Sequence, residues 1–144
     1  MTTEAGFAII DHTADTGVRA WGRDLADALG QAVIGMFSLL VPPQRVRPRQ
    51  RWSFAVTAPD LPLLLFNLLD ELLYLHHSQR ALAAAVRDLA ASIEGQPRAA
   101  GTLLGETIDR RRHRLQTEIK AVTLHGIRLE REGSLWIAEA IFDL

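Results

Sequence analysis

Apolar residues along this chain recur with two different periods, and the switches between them mark out its elements. Residues 7–11 (FAIID) and 17–22 (GVRAWG) are short, β-branched and aromatic, and the polar segment HTADTG separates them. They predict two strands around a turn. In DLADALGQAVIGMFSLL, Leu25, Leu29, Ala32, Val33, Met36, Phe37 and Leu40 recur at helical spacing. Asp24 is the expected N-cap, Asp27 suits the positive helix end, and Pro42 and Pro43 stop the helix. After the basic, proline-rich connector VPPQRVRPRQ, the segment RWSFAVTA predicts another strand. Asp60 then caps a second helix with Pro62 in its first turn. Leu61, Leu64, Leu65, Leu68, Leu72 and Leu75 form its apolar face, opposite Asn67, Asp70, Glu71 and Tyr74, and His76 and His77 close it.

The later half is less uniform. In ALAAAVRDLAASIEG the alanine content favours helix by propensity, while Gly95-Gln96-Pro97 after it equally suits strands of a meander. TLLGETI reads as a strand. DRRRHRLQTEIKAVT reads as a loop or single helical turn leading into a strand. HGIRLERE and LWIAEAIFDL, with a turn at Gly133-Ser134, form the clearest hairpin. In its second strand Trp136, Ala138, Ala140 and Phe142 share one face, and Ile137, Glu139, Ile141 and Asp143 the other.

These elements predict an α+β, two-layer sandwich: a single domain over residues 1–144, with two long helices on one side of a mainly antiparallel or mixed sheet. Leu29, Val33, Phe37, Leu65, Leu68, Leu72 and Phe142 are the expected core. A chain of 144 residues with 48% hydrophobic content can bury one such core.

Charge narrows the functional classes. A net charge of −1 argues against general polyanion binding, which draws on excess Lys and Arg. Arg45, Arg47, Arg49 and Arg51 and the run Arg110-Arg111-Arg112 read as solvated loop faces, because only Trp52 interleaves with them. With no cysteine, thiolate metal sites and cysteine nucleophiles are excluded. The opening residues lack the pattern of a secretory signal. The most apolar stretch, LPLLLFNLLDELLYL, is too short and too acidic to span a bilayer. A cytoplasmic location and no membrane partner are therefore expected. No phosphate-cradling Gly-rich loop precedes a Lys-Ser or Lys-Thr pair, and no Gly-x-Ser-x-Gly elbow occurs. Adjacent His76 and His77 point about 100° apart on a helix, unlike a helical zinc site.

Three polar segments could carry chemistry. Asp11-His12-Thr13-Ala14-Asp15 suits an Asx-type turn, and equally a carboxylate ligand, Asp15, beside a histidine. Phe142-Asp143-Leu144 would set a side-chain carboxylate one residue from a main-chain α-carboxylate. Such a pair suits a hard cation, or is an exposed tail. In Glu118-Ile119-Lys120-Ala121-Val122-Thr123-Leu124-His125, the chain's only lysine lies near a histidine, where a surface ion pair accounts for it as well as function does.

Taken together, DHTADTGVRAWGRDLADALGQAVIGMFSLL, LLLFNLLDELLYLH, and GETIDRRRHRLQTEIKAVTLHGIRLEREGSLWIAEAIFDL resemble, in order, the N-terminal segment, second helix and C-terminal half of the archease family. HTAD paired with the KAVT segment and the Asp-Leu ending is the specific part; Leu124 departs from an expected tyrosine, and the alanine-rich middle matches poorly. The resemblance implies a two-layer α/β protein with strands over residues 81–107. It implies no enzyme but an accessory activator of a GTP-dependent RNA ligase that joins RNA ends in tRNA splicing and RNA repair. The activator would promote guanylylation and multiple turnover of that ligase, and meet RNA only indirectly. It further implies that Asp15, Asp143 and the Leu144 carboxylate bind a divalent cation (calcium, magnesium or manganese), with His12, Lys120 and His125 in support. A small standalone metal-dependent enzyme and a chaperone-like modulator of RNA-modifying enzymes are the alternatives.

Overall fold

The computed structural model describes residues 4–11 and 15–144. Its elements are β1 (Gly6–Asp11), β2 (Thr16–Gly22), α1 (Leu25–Ser38), a 3-10 turn at Pro43–Arg45, β3 (Gln50–Thr57), α2 (Leu61–Gln79), β4 (Ala81–Ser92), β5 (Arg98–Thr107), β6 (Ala121–Val122), β7 (Arg128–Glu132) and β8 (Leu135–Asp143). Both helices start where side-chain capping was expected. The Asp24 carboxylate accepts from the Asp27 N–H at 2.8 Å, and the Asp60 carboxylate from the Leu63 N–H at 2.9 Å. Arg80, in the left-handed region at φ 58°, ends α2 and turns the chain directly into β4.

The fold is an α+β sandwich, and every strand pairing is antiparallel. The strands divide into two sheets. One runs β1-β2-β8 and continues on the far side of β8 with β7 along its first part and β6 at its end; the other runs β3-β5-β4. The alanine-rich stretch forms one long strand, β4, rather than a helix. It pairs with β5 through two irregularities, between Ala83 and Ala85 and between Arg87 and Ala90. Helix propensity loses here because Ala81, Leu82 and Ala83 are buried by pairing and by the helices, a tertiary term that outweighs a few tenths of a kcal/mol per residue.

One hydrophobic cluster joins both helices to both sheets. All seven residues expected in the core are at most 1% exposed. Along β8 the two faces separate as the alternation requires: Ala138, Ala140 and Phe142 enter this cluster, whereas Ile137 and Ile141 are buried outside it. Gly105 in β5 is required by a close approach, since a Cβ there would lie 1.7 Å from the Leu82 carbonyl oxygen. No helix among the described residues is long and apolar enough to cross a membrane.

Candidate functional site

Strand β8 brings the distant ends of the sequence together. Its antiparallel register with β2 pairs Val18 with Ala140, Gly17 with Ile141 and Thr16 with Phe142. Asp15 directly precedes Thr16 and Asp143 directly follows Phe142. The described pairing ends at Thr16 and Phe142, so Asp15 and Asp143 stand at the same end of the β2–β8 pair, each one residue beyond its last paired residue. On its other edge Asp143 pairs with Ala121, and the Lys120 N–H donates to the Asp143 carbonyl at 2.8 Å. Thr123 secures the same edge, donating to the Ile141 carbonyl from both its N–H (3.0 Å) and its hydroxyl (2.9 Å). The last turn of this strand is thus held from both sides rather than frayed.

Asp143, Leu144 and Lys120 are exposed and Asp15 is half-buried, so all can meet solvent or a partner. Carboxylates that come close together repel each other, and a cation shared between them relieves that repulsion. Their oxygens are the donors that calcium, magnesium and manganese take. The residues present therefore fit a hard divalent cation. Among the described residues no three His, Asp or Glu side chains gather as a metal site. The expected set instead combines two side chains with a main-chain carboxylate. His12, expected in support, lies outside the described residues. His125 is exposed in the turn before β7, where its N–H meets the Thr123 hydroxyl at 3.3 Å. Among the described residues Lys120 forms no salt bridge, so its sequence neighbourhood with Glu118 is not an ion pair.

A second polar cluster escaped the sequence reading. Glu106, on β5, is 5% exposed, and His113, in the loop after it, 4%. One Glu106 oxygen accepts from the Arg47 N–H at 2.8 Å and from His113 Nε2 at 3.0 Å; the other accepts from the Arg112 guanidinium. His113 Nδ1 accepts from the Asp109 N–H at 2.8 Å, which leaves the ring proton on Nε2, facing Glu106. Burial alone would raise the Glu106 pKa. The bonds from Arg112, Arg47 and His113 outweigh it and lower the carboxyl from 4.5 to about 2. Arg112 was expected on a solvated loop face; it is instead folded back on this carboxylate, because a buried charge needs a partner. The cluster ties the proline-rich connector and the long loop to β5, and every group in it is satisfied, so it is a structural clasp. A strand Glu followed by an arginine-histidine run was the available signal.

The chain from residue 7 to residue 144 matches the archease protein family (MTH1598/TM1083). It belongs to the archease family. A curated archease of Thermococcus gammatolerans is 34% identical over 135 residues, covering 93% of this chain and 95% of that protein. One from Methanothermobacter thermautotrophicus is 32% identical, covering 96% and 99%. Among solved structures, Methanobacterium thermoautotrophicum protein 1598 superposes with a TM-score of 0.83 at 30% identity, covering 96% of this chain and 99% of that one. An archease from Thermotoga maritima, described as a possible chaperone, superposes at 0.58 with 19% identity and shares the fold. The family resemblance read from HTAD, KAVT and the Asp-Leu ending is thereby borne out over nearly the whole chain.

Proposed function

We propose that this chain is an accessory activator of a GTP-dependent RNA-splicing ligase, acting through a divalent-cation site at the Asp15–Asp143 edge. Membership of the archease family supports the reading, and the observation that carries it is the β2–β8 register, which ends at Thr16 and Phe142 with Asp15 and Asp143 each one residue beyond. Asp15, Asp143 and the α-carboxylate of Leu144 would hold the cation, and Lys120, secured to Asp143 through its backbone, would present a positive charge beside it. Bound there, calcium, magnesium or manganese would supply a concentrated positive charge able to neutralise phosphate oxygens.

The chain's own part is presentation. The paired end of β8 would hold the Asp143 backbone in place before a partner arrives, which lowers the ordering cost of docking. An activator without a nucleotide-binding motif can accelerate its partner by binding one state, or the transition state, more tightly than the others. No nucleophile for nucleotidyl transfer is expected to act here.

A multiple-turnover ligation assay tests this, with purified ligase, GTP, RNA ends and a fixed divalent-cation concentration. The parent should stimulate turnover. Asp15→Ala, Asp143→Ala and a chain extended beyond Leu144 should all fall to the rate of ligase alone. Full stimulation by Asp143→Ala would overturn the site, and no stimulation by the parent would overturn the ligase reading.

A further inference from the structure

A cleft of about 430 Å³ opens between the last turn of α2 and the loop that joins β5 to β6. Its floor is apolar, built from Ile108, Leu115 and Ile119. Three cations stand on its walls: Arg80 at the end of α2, Arg110 in the loop and Lys120 before β6. Among the described residues none of the three forms a salt bridge, whereas Arg19, Arg112 and Arg128 are all paired with carboxylates. Two histidines frame the cleft and fix its shape. His76 bonds the Ala81 carbonyl through Nδ1 at 2.9 Å, and His77 bonds the Ile119 carbonyl through Nε2 at 2.9 Å. The second bond fastens the loop to α2, so the cleft is built before any ligand enters.

The C-terminus of α2 brings roughly half a negative charge to the cleft. Glu118 adds another negative group on the wall. Burial lowers the His76 pKa, so that ring does not add a positive charge at neutral pH. Three cations against these groups still leave the cleft net positive by about 1.5 charges. Two arginine forks and an ammonium are the donor set that suits a phosphate. The apolar floor offers a surface for a sugar or base, and the volume lies within the ~300–1,000 Å³ of small-molecule sites.

We propose that this cleft binds the terminal phosphate of a nucleotide-sized ligand, either a free nucleoside triphosphate or the phosphorylated end of an RNA strand. The phosphate would sit among Arg80, Arg110 and Lys120, with the attached sugar or base over Leu115 and Ile119. The site belongs to this chain alone and does not depend on the ligase assignment. The backbone bond from Lys120 to Asp143 places it beside the carboxylate edge, so one bound group could be presented next to the other.

Binding to the isolated full chain tests the proposal without any ligase. Amide chemical shifts would be followed by NMR on titrating GTP, ATP, and a short single-stranded RNA with either a 3′-phosphate or a 3′-hydroxyl. Saturable shifts confined to residues 76–80 and 108–120 are expected from at least one phosphate-terminated probe. Arg110→Glu should weaken it about tenfold, the scale of one charge-assisted bond. Arg98→Glu, at the opposite end of β5, should change it less than about twofold. A preference for the 3′-phosphate RNA over its 3′-hydroxyl twin assigns the RNA end; tighter binding of a triphosphate assigns the free nucleotide. The proposal is overturned by no saturable binding, by shifts that map elsewhere, by equal weakening in Arg98→Glu, or by RNA binding that ignores the 3′-phosphate while neither nucleotide binds. Failure of the activator reading would appear separately, as absent stimulation of the ligase by the parent chain.

Discussion

Glu106, next to last in β5, and Asp143, last in β8, are both carboxylates at strand ends, and their surroundings are opposite. Glu106 is buried and accepts from a guanidinium, an imidazole and a backbone N–H. Asp143 is exposed, and among the described residues its side chain takes part in no salt bridge. A satisfied buried carboxylate holds the fold together and has no capacity left for a ligand. An exposed one without such partners keeps its oxygens open to solvent.

The sharpest way to break that contrast is to remove each carboxylate in turn and measure unfolding. Glu106→Ala leaves Arg112 and His113 facing an emptied pocket, and the loss of one partner of a buried pair costs ~3–5 kcal/mol. A urea-unfolding free energy within ~0.5 kcal/mol of the parent, the range of ordinary surface changes, would show that the cluster is no clasp.

Acid should reach Glu106 next. Its pKa is depressed in the fold, from 4.5 to about 2, so the stabilisation it gives is complete above the unfolded value and is lost as pH falls through the folded one. By linkage, roughly 2 kcal/mol should be gone at pH 3 relative to pH 6. Glu106→Gln should flatten that part of the stability–pH curve while Asp143→Ala leaves it in place. Equal curves for Glu106→Gln and the parent would count against the assignment.

The smallest effect belongs to Asp143→Ala. Its unfolding free energy should stay within ~0.5 kcal/mol of the parent, as for an exposed side chain outside the core. If this variant unfolds as readily as Glu106→Ala, Asp143 is structural after all and the contrast collapses.

Sequence pattern made the helices, the final hairpin and the core legible, because each rests on local periodicity and capping: Asp24, Asp60 and the leucine face of α2 stand where they were expected. The division into two sheets was not legible. It depends on which strands meet across the fold, and pairing partners leave little trace in a single strand's alternation. β4 was ambiguous because its alanines favour helix locally, and only pairing with β5 and burial against the helices override that preference. The residues by themselves showed Asp15 and Asp143 only in separate segments, and the family resemblance joined them; the Thr16–Phe142 pairing brings the start of β2 to the end of β8. Glu106 and His113 were missed because a buried, hydrogen-bonded carboxylate looks, in sequence, like ordinary surface charge.

The position of β8 also has a consequence for how the molecule is made. β8 lies between β2 on one edge and β6 with β7 on the other, yet it is synthesised after all of them. The β1–β2 hairpin and α1 emerge early but cannot complete their sheet until β8 leaves the ribosome. During translation they must wait with an unpaired strand edge and an uncovered apolar face, the condition that invites aggregation and chaperone capture. Closure of the sheet is then one late, long-range event, and the strand that completes it also carries Asp143, so that carboxylate takes its place only as the fold is finished.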